Sequence, residues 1–333
     1  MAVSLVAQVR MPGPSLFARS VNDIRFGCLS LARIRHHRCF SSTQSVQKSS
    51  VTRFQSADRL SGRTCLITGG SSGIGYAIAE RFLQESASSI ILVGRSQKRL
   101  EAAAADLRSS AGEIHSTEGT ASSNVSDRIR LLVGDVGEVA SWMRELEQEM
   151  AKVDILVNAA GVSFSSILPR SEPADISHVL RTNLEGAMLT SRALIRAAIR
   201  SRVRSRKNED TEAIPFSKCI INVSSLLAVK GGTGAVPYAA SKAGILGLTR
   251  SVAVEASASL KDLIIRSNAI VPGYIETPMI SDFTPGEMSR LKDTIPLHRF
   301  GDPREVADAA VFLAQNEYAN NCVLNIDGGL SAV

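Results

Sequence analysis

The feature that most constrains the fold is a glycine-rich turn between an apolar run and a helical pattern. Thr64–Thr68 has the composition of a buried strand, and residues 74–83 carry apolar side chains at helical spacing. The turn between them reads T-G-G-S-S-G-I-G. Glycines at 69, 73 and 75 allow a close approach to a pyrophosphate, which the helix amino terminus can hold. An ordinary tight turn is the alternative, but the order strand, turn, helix favours a dinucleotide site.

The end of the second predicted strand indicates which dinucleotide would bind. Residues 89–93 form this strand, and Gly94 and Arg95 follow it with no acidic residue. A carboxylate here would bind the ribose 2′-hydroxyl of NAD, whereas arginine suits the 2′-phosphate of NADP. We therefore predict NADP(H), with an ion pair between Arg95 and a surface acid as the alternative.

Alternating strands and helices continue along the chain and predict a parallel, doubly wound sheet. A helix over 97–107 precedes a strand over 130–133, and a helix ending at 150 precedes a strand over 154–157. The polar stretches 109–127 and 202–217 are predicted surface insertions. Residues 58–333 are long enough to form one large α/β domain.

A tyrosine and a lysine four residues apart supply candidate chemistry. Tyr238 and Lys242 follow Pro237, which suits the first turn of a helix, and a four-residue step places both side chains on one helical face. A nearby cation lowers the pKa of a phenol, which would let Tyr238 exchange a proton with a substrate oxygen. A strand over 219–223 delivers Ser225 to the same region. Taken alone, Y-x-x-x-K also fits an ordinary amphipathic turn.

The first 57 residues differ in composition from the rest. They contain eight basic residues and one acidic residue, Asp23, and they are rich in serine, which is typical of a mitochondrial or chloroplast transit peptide. The stretch from Arg38 to Ser42 resembles a mitochondrial processing site, with cleavage predicted after Phe40. A disordered basic tail that binds nucleic acid is the alternative.

The remaining composition excludes several function classes. The chain has a net charge of +6, of which the leader supplies +7, so residues 58–333 sum to about −1 and do not suggest a nucleic-acid-binding body. Cys65, Cys219 and Cys322 are widely spaced in apolar runs, and no Cys/His cluster suggests a metal site or a disulfide framework. No apolar run is long enough to span a bilayer.

Taken together, the motifs T-G-G-S-S-G-I-G, N-A-A-G and Y-A-A-S-K, with Ser225 thirteen residues before Tyr238, resemble the short-chain dehydrogenase/reductase family over residues 62–330. The resemblance implies a single Rossmann-type domain, with a doubly wound parallel sheet of about seven strands flanked by helices. It also implies a catalytic set made of Asn183, Ser225, Tyr238 and Lys242. In this set Tyr238 gives a proton to a carbonyl oxygen, Ser225 orients that oxygen, and Asn183 holds a water that links Lys242 to solvent.

The resemblance further implies the residues that contact the cofactor and a lid over 274–292. The expected contacts come from the glycine-rich turn, the strand ends, α-helical Tyr238 and Lys242, and the loop after Pro272: Gly69, Ser71, Ser72, Gly73, Ile74, Gly75, Arg95, Asp135, Val136, Asn158, Ala159, Gly161, Pro272, Gly273, Ile275 and Thr277.

Within the family, residues 296–307 and 323–329 are most similar to 3-oxoacyl-[acyl-carrier-protein] reductases. This similarity implies NADPH-dependent reduction of a 3-oxoacyl group on an acidic carrier in fatty-acid synthesis, and the leader suggests the mitochondrial matrix. A basic run is a hypothetical carrier-docking surface: Arg196, Arg200, Arg202 and Lys261. A solvated helix end is the alternative. The resemblance also implies a homo-oligomer, expected to be a tetramer.

Two other functions stay open from the sequence. One is a reductase or dehydrogenase for another carbonyl or alcohol, such as a 3-hydroxyacyl-CoA, a polyol or a xenobiotic ketone. The other is a catalytically silent scaffold that keeps the cofactor fold, which the intact set of Asn183, Ser225, Tyr238 and Lys242 disfavours.

Overall fold

Apolar runs form the strands of one parallel sheet at the centre of the computed structural model, which describes residues 58–115, 125–205, 217–260, 263–281 and 283–333. Within these residues the sheet has seven strands, in the spatial order β3-β2-β1-β4-β5-β6-β7. Their bounds are β1 Thr64–Thr68, β2 Ser89–Gly94, β3 Ile129–Val133, β4 Ile155–Asn158, β5 Lys218–Val223, β6 Ile265–Pro272 and β7 Val323–Ile326.

Helices connect the strands and cover both faces of the sheet. In chain order they are α1 Gly73–Gln84, α2 Gln97–His115, α3 Val125–Arg128, α4 Met143–Met150, α5 Pro173–Leu180, α6 Gly186–Ser205, α7 Val236–Ser259, α8 Pro285–Thr294 and α9 Pro303–Gln315. A 3₁₀ segment, Val136–Trp142, leads into α4, and a π-helical turn, Arg181–Glu185, joins α5 to α6.

The core lies in two layers because successive side chains of a strand point to opposite faces. Cys65 and Ile67 of β1 pack with α1, α2 and α9 on one face. Leu66, between them, packs with α4 and α6 on the other face. Most strand residues are apolar because both faces of a parallel sheet are covered by helices, although β6 also carries the buried polar residues Arg266, Ser267 and Asn268.

The strand order creates a crevice beside β1. The chain winds outward from β1 to β2 and β3, and then returns to place β4 on the other side of β1. Thr68 pairs with Val93 of β2 and with Asn158 of β4, so the carboxyl ends of these strands lie level with one another. Such a reversal of strand order is where open α/β sheets bind their ligands.

The predicted Rossmann-type sheet is confirmed, and the strands begin and end within one or two residues of their predicted positions. The end of α2 was predicted wrongly, because the helix continues to His115. Ser109 and Ser110 do not stop it, since their hydroxyls donate to the carbonyl oxygens of Ala105 and Asp106, each at 3.1 Å. The rest of the first predicted insertion, 116–124, and most of the second, 206–216, lie outside the described residues.

Candidate active site

Four predicted catalytic side chains meet at the carboxyl edge of the sheet. Ser225 follows β5 directly, and Tyr238 and Lys242 lie on successive turns of α7, which begins with Pro237 in its first turn. Asn183 lies in the π-helical turn before α6. A buried strand and a helix start therefore bring residues 225, 238 and 242 together, as the sequence predicted.

Ser225 is the direct partner of the tyrosine. Its hydroxyl lies close enough to the phenol to lower the pKa of Tyr238. The Ser225 hydroxyl also accepts a 3.2 Å hydrogen bond from the backbone N–H of Leu227, so it caps the short 3₁₀ turn Leu226–Ala228. Because the cap fixes its rotamer, Ser225 presents its hydroxyl beside the phenol.

Burial sets the protonation of Tyr238. It raises the pKa of the phenol above its ordinary value of 10.0, and the hydrogen bond with Ser225 acts in the opposite direction. The lowering of this pKa by Lys242, which the sequence led us to expect, is not found. The phenol is therefore protonated at neutral pH, which suits a proton donor.

Lys242 is 4 % exposed and lies between the tyrosine and the sheet. Its ammonium donates a 2.9 Å hydrogen bond to the carbonyl oxygen of Val223, and its nitrogen lies 5.7 Å from the centroid of the Tyr238 ring. Burial lowers the pKa of Lys242 from 10.5 to about 8.

The side-chain amide of Asn183 uses both of its N–H donors and one acceptor position of its oxygen within the protein. Its oxygen accepts from the N–H of Val162 at 2.8 Å, and its nitrogen donates to the carbonyl oxygen of Val162 at 2.9 Å and to the Ser241 hydroxyl at 3.0 Å. Ser241 in turn donates to the carbonyl oxygen of Tyr238 at 2.7 Å. Asn183 thus joins the loop after β4 to α7, and its expected role in holding a water stays a prediction.

A cavity of about 500 Å³ lies beside these side chains, between the carboxyl ends of β1, β2 and β4. Ser225, Tyr238 and Lys242 line one end of it. Seventeen of the eighteen predicted cofactor contacts lie in the wall: Gly69, Ser71, Ser72, Gly73, Ile74, Gly75, Arg95, Asp135, Val136, Ala159, Gly161, Tyr238, Lys242, Pro272, Gly273, Ile275 and Thr277.

Asn158 is the predicted contact that lies outside this wall. It is buried beneath the cavity, where its oxygen accepts from the Thr190 hydroxyl at 2.7 Å and its nitrogen donates to the Asn222 oxygen at 2.8 Å. Asn158 therefore ties β4 to α6 and β5 and supports the floor of the site.

The glycine-rich turn forms the phosphate-sized part of the wall. Gly69 has a φ of +71°, and a Cβ on Gly75 would lie 2.4 Å from the carbonyl oxygen of Gly69. Only glycine fits at 75, because any side chain would collide with the backbone of the turn. This close packing leaves the start of α1 open to the cavity, as a pyrophosphate site requires.

Several residues in the wall were not predicted. Thr182 is the most informative, because its hydroxyl is buried, lines the cavity and has no hydrogen-bond partner. Such an orphan group fits a site whose partner is a ligand. The other unpredicted residues are Val93, Gly94, Ser96, Arg99, Gly134, Ala160, Val162, Val223, Ser224, Pro278, Met279 and Ile280. Thr182 and Ser224 could have been suggested from the sequence, because each is next to a predicted site residue in the chain.

The arginines of the hypothetical carrier-docking surface lie in the second half of α6. Arg196 and Arg200 both face Glu147 of α4, at 3.8 Å and 3.2 Å between nitrogen and oxygen. Because α6 starts at the carboxyl edge of the sheet and rises about 1.5 Å per residue, Arg200 and Arg202 lie some 20 Å from the cleft of the same chain. Lys261 lies outside the described residues.

Where the chain is described, no group of three or more metal-ligating side chains occurs. None of the described helices carries an apolar stretch long enough to cross a membrane. The three described cysteines, Cys65, Cys219 and Cys322, are free.

Comparison with known proteins identifies the protein family to which the chain belongs. Residues 69–331 match the model of a family described as Enoyl-(Acyl carrier protein) reductase, which belongs to the short-chain dehydrogenases/reductases. The chain is therefore a member of the short-chain dehydrogenase/reductase family of oxidoreductases.

Two curated relatives are similar to this chain over almost their whole length. The chain is 34 % identical over 268 residues to the 3-oxoacyl-[acyl-carrier-protein] reductase of Rattus norvegicus, covering 80 % of this chain and 98 % of the relative. It is 34 % identical over 274 residues to the 3-oxoacyl-[acyl-carrier-protein] reductase FabG of Thermotoga maritima, covering 82 % and 99 %.

Solved structures of other family members share the fold. A putative NAD(P)-dependent gluconate 5-dehydrogenase from Beutenbergia cavernae, with bound NADP at low occupancy, has a TM-score of 0.68 and 26 % identity, covering 82 % of this chain and 98 % of that one. A putative gluconate dehydrogenase from Agrobacterium tumefaciens has a TM-score of 0.65 and 30 % identity, with the same coverage.

Proposed function

We propose that this enzyme uses NADPH to reduce a 3-oxoacyl group, carried on an acyl carrier protein, to the 3-hydroxyacyl form. The observation that carries the proposal is the placement of Ser225, Tyr238 and Lys242 in the wall of the same cavity that the glycine-rich turn lines. Near-complete coverage of relatives named 3-oxoacyl-[acyl-carrier-protein] reductase supports the substrate class.

The residues of the site have separate roles in this reaction. NADPH, when bound, supplies a hydride to the carbonyl carbon. Ser225 and Tyr238 donate hydrogen bonds to the carbonyl oxygen, where negative charge develops. Tyr238 is protonated at neutral pH and gives that oxygen its proton, and buried Lys242 is the group beside it that can hold a replacement proton.

NADP(H) is the proposed cofactor because β2 ends without an acid. Gly94 and Arg95 line the cavity at this point, and a Cβ on Gly94 would lie 3.2 Å from the Leu100 side chain, which leaves little room for a carboxylate. Arg95 is 59 % exposed, and its nitrogen lies 3.9 Å from an oxygen of Asp135, so it is loosely held and can turn toward a phosphate.

Carrier docking on the basic run of α6 stays a prediction. Exchanging Arg200 for Glu should raise the KM for a carrier-bound substrate and leave the KM for the matching free thioester unchanged, because only the acidic carrier would contact this surface. An equal change for both substrates would contradict docking there. The prediction of a tetramer can be checked by light scattering of the purified protein.

We also propose import into the mitochondrial matrix with cleavage after Phe40, on the composition of the leader. Protein isolated from mitochondria should then begin at Ser41. Recovery of full-length chain from another compartment would contradict this proposal.

Initial rates with a panel of substrates test the proposed reaction. Protein beginning at Ser41 should oxidise NADPH rapidly with acetoacetyl-carrier protein, and NADH slowly. Tyr238→Phe removes the proton donor and should lower kcat by about a thousandfold, since acid catalysis contributes roughly 10²–10⁴. Its affinity for NADPH should stay within a few-fold of the parent, which shows that the variant is folded.

A second candidate function is oxidation or reduction of a polyol or another small carbonyl compound. The gluconate dehydrogenases among the structural neighbours favour it. Turnover of gluconate or a simple ketone, with none of acetoacetyl-carrier protein, would establish this function. If the protein instead reduced a 2-enoyl group on the carrier, its reaction would be the one named in the description of the matching family, and a carbonyl substrate would be excluded.

A further inference from the structure

A second arginine reaches into the cavity from an element that the sequence did not implicate. Arg99 lies in the first turn of α2, and its side chain extends to the start of α1, where a guanidinium nitrogen donates a 3.0 Å hydrogen bond to the Ser72 hydroxyl. Ser72 is the N-cap residue of α1, yet its hydroxyl makes no capping bond to that helix. Both side chains line the cavity.

The surroundings of Arg99 lack negative charge. Within the described part of the chain no carboxylate oxygen lies within 4 Å of its guanidinium, and the group is solvent-exposed. Arg95 differs, because its nitrogen lies 3.9 Å from an oxygen of Asp135. Arg95 is therefore partly engaged by a carboxylate, whereas the side chain of Arg99 donates only to a neutral hydroxyl.

Arg95, Ser96, Arg99 and Ser72 surround one corner of the cavity, at the end away from Tyr238. Arg95 extends from the end of β2, and Arg99 reaches the same corner from α2. A dianionic phosphate there would accept charge-assisted hydrogen bonds from both guanidinium groups, which are about twice as strong as a bond to a neutral hydroxyl.

We infer that Arg99 is the main determinant of the preference for NADP(H) over NAD(H). It exchanges its hydrogen bond with Ser72 for one with the 2′-phosphate of the adenosine, while Arg95 supplies a second contact. This inference rests on the proposed use of NADP(H), and it assigns the larger share of that selectivity to a residue on α2.

Calorimetric titration with NADP⁺, NAD⁺ and 2′-AMP tests the inference without turnover. Arg99→Gln should weaken binding of NADP⁺ and 2′-AMP by about 10- to 100-fold, as expected for a lost hydrogen bond to a charged group. Binding of NAD⁺ should change less than about twofold, since NAD⁺ has no 2′-phosphate to lose contact with. Lys98→Gln is the matched control, because it removes the same charge from an adjacent exposed residue outside the cavity wall.

Three results would count against Arg99. Equal weakening of NADP⁺ and NAD⁺ by Arg99→Gln would mean that Arg99 only supports the glycine-rich turn through Ser72. An unchanged affinity for NADP⁺ would assign the selectivity to Arg95 alone. An equal loss of NADP⁺ affinity in Lys98→Gln would mean that the effect comes only from removing one positive charge near the site. If the parent protein binds NAD⁺ as tightly as NADP⁺, the proposed cofactor itself fails, and that result is recognisable before any variant is made.

Discussion

Burial, more than charge pairing, controls the two ionisable side chains on α7. It raises the pKa of the Tyr238 phenol and lowers the pKa of the Lys242 ammonium to about 8. Each shift favours the neutral form, as desolvation does for any ionisable group. The two pKa values therefore move apart, with that of Lys242 below that of Tyr238, so a protonated Lys242 is the stronger acid and can return a proton to a tyrosinate during catalysis.

The pKa of Lys242 predicts how the reduction depends on pH. A proton must return to Tyr238 in each cycle, and Lys242 holds one below pH 8 and loses it above that value. We expect kcat for reduction to be constant between pH 6 and 7 and to fall as pH rises through about 8. Stopped-flow rates across this range, with saturating substrates, measure it.

The direction in which kcat changes with pH tests the role given to Lys242. A kcat that rises through pH 8 would mean that a deprotonated group limits reduction, which contradicts the role given to Lys242. The oxidation of a 3-hydroxyacyl substrate provides the control. It needs Tyr238 to accept a proton, so its rate should rise over the same range.

Motif spacing was enough to find Ser225, Tyr238 and Lys242, because each is placed by the end of one strand or by one helical face. It could not find the contacts of Asn183 or Arg99. The amide of Asn183 is hydrogen-bonded to the backbone of Val162, a residue 21 positions away, and Arg99 reaches Ser72 across a gap between two helices. Both facts depend on side-chain conformation and not on residue order.

At the scale of an element, the glycine-rich turn works because its backbone packs against itself. A Cβ on Gly75 would lie 2.4 Å from the carbonyl oxygen of Gly69, which belongs to the backbone and cannot move aside cheaply. The start of α1 would then be displaced from the cavity.

We expect Gly75→Ala to weaken cofactor binding by at least about tenfold, because a displaced helix start no longer aims its N–H groups at the pyrophosphate. Trp142, the sole tryptophan, packs against Gly134 in the cavity wall, so quenching of its fluorescence can report binding. Normal quenching by NADPH in the variant would contradict the proposed packing.

Gly247→Ala is the matched control for this substitution. Gly247 lies inside α7, is exposed, and would place a new Cβ in open space. The change should stabilise the protein by about 0.5–1 kcal/mol, because alanine loses less conformational entropy in a helix than glycine. Cofactor binding should be unaffected.

Helix ends were the least predictable property of the elements. Serines at 109 and 110 suggested a loop, but in the structure their hydroxyls donate to carbonyl oxygens four residues earlier, and α2 continues. A serine hydroxyl can bond to a carbonyl oxygen within a helix or to the backbone of a turn that ends the helix. The sequence does not say which of these local hydrogen bonds will form.

At the scale of the whole molecule, a buried arginine joins the sheet to the last helix. Arg266 of β6 is 1 % exposed. Its guanidinium donates to the carbonyl oxygens of Leu313 and Ala314, each at 2.8 Å, at the end of α9. A positive charge at the carboxyl end of a helix also complements the helix dipole.

We expect Arg266→Met to lower the free energy of unfolding by about 3 kcal/mol or more, because several buried carbonyl oxygens lose their donor. Glu317→Gln is the control. Glu317 is half exposed and lies 3.6 Å from Arg266 and 2.6 Å from Arg63, and glutamine keeps an oxygen that can accept from either arginine, so this change should cost less than about 1 kcal/mol. Urea unfolding monitored by circular dichroism measures both, and equal effects would contradict the role given to Arg266.

The order of strands and the place of the crevice could be predicted, because strand and helix alternate regularly and a parallel sheet with this pattern has few alternatives. The placement of the basic run on α6 could not. Its distance from the cleft follows from the direction of a helix after the sheet has formed, and two of its arginines turn toward Glu147.

Transfer of deuterium tests the proposed reaction most directly. Acetoacetyl-carrier protein is incubated with NADPH that carries deuterium at the transferable position of the nicotinamide, and the carrier-bound product is analysed by mass spectrometry. The account predicts a 3-hydroxybutyryl product with the deuterium on carbon 3 in the parent protein, and none in Tyr238→Phe. An unchanged acetoacetyl group in the parent, with label passed to a free ketone instead, would contradict it.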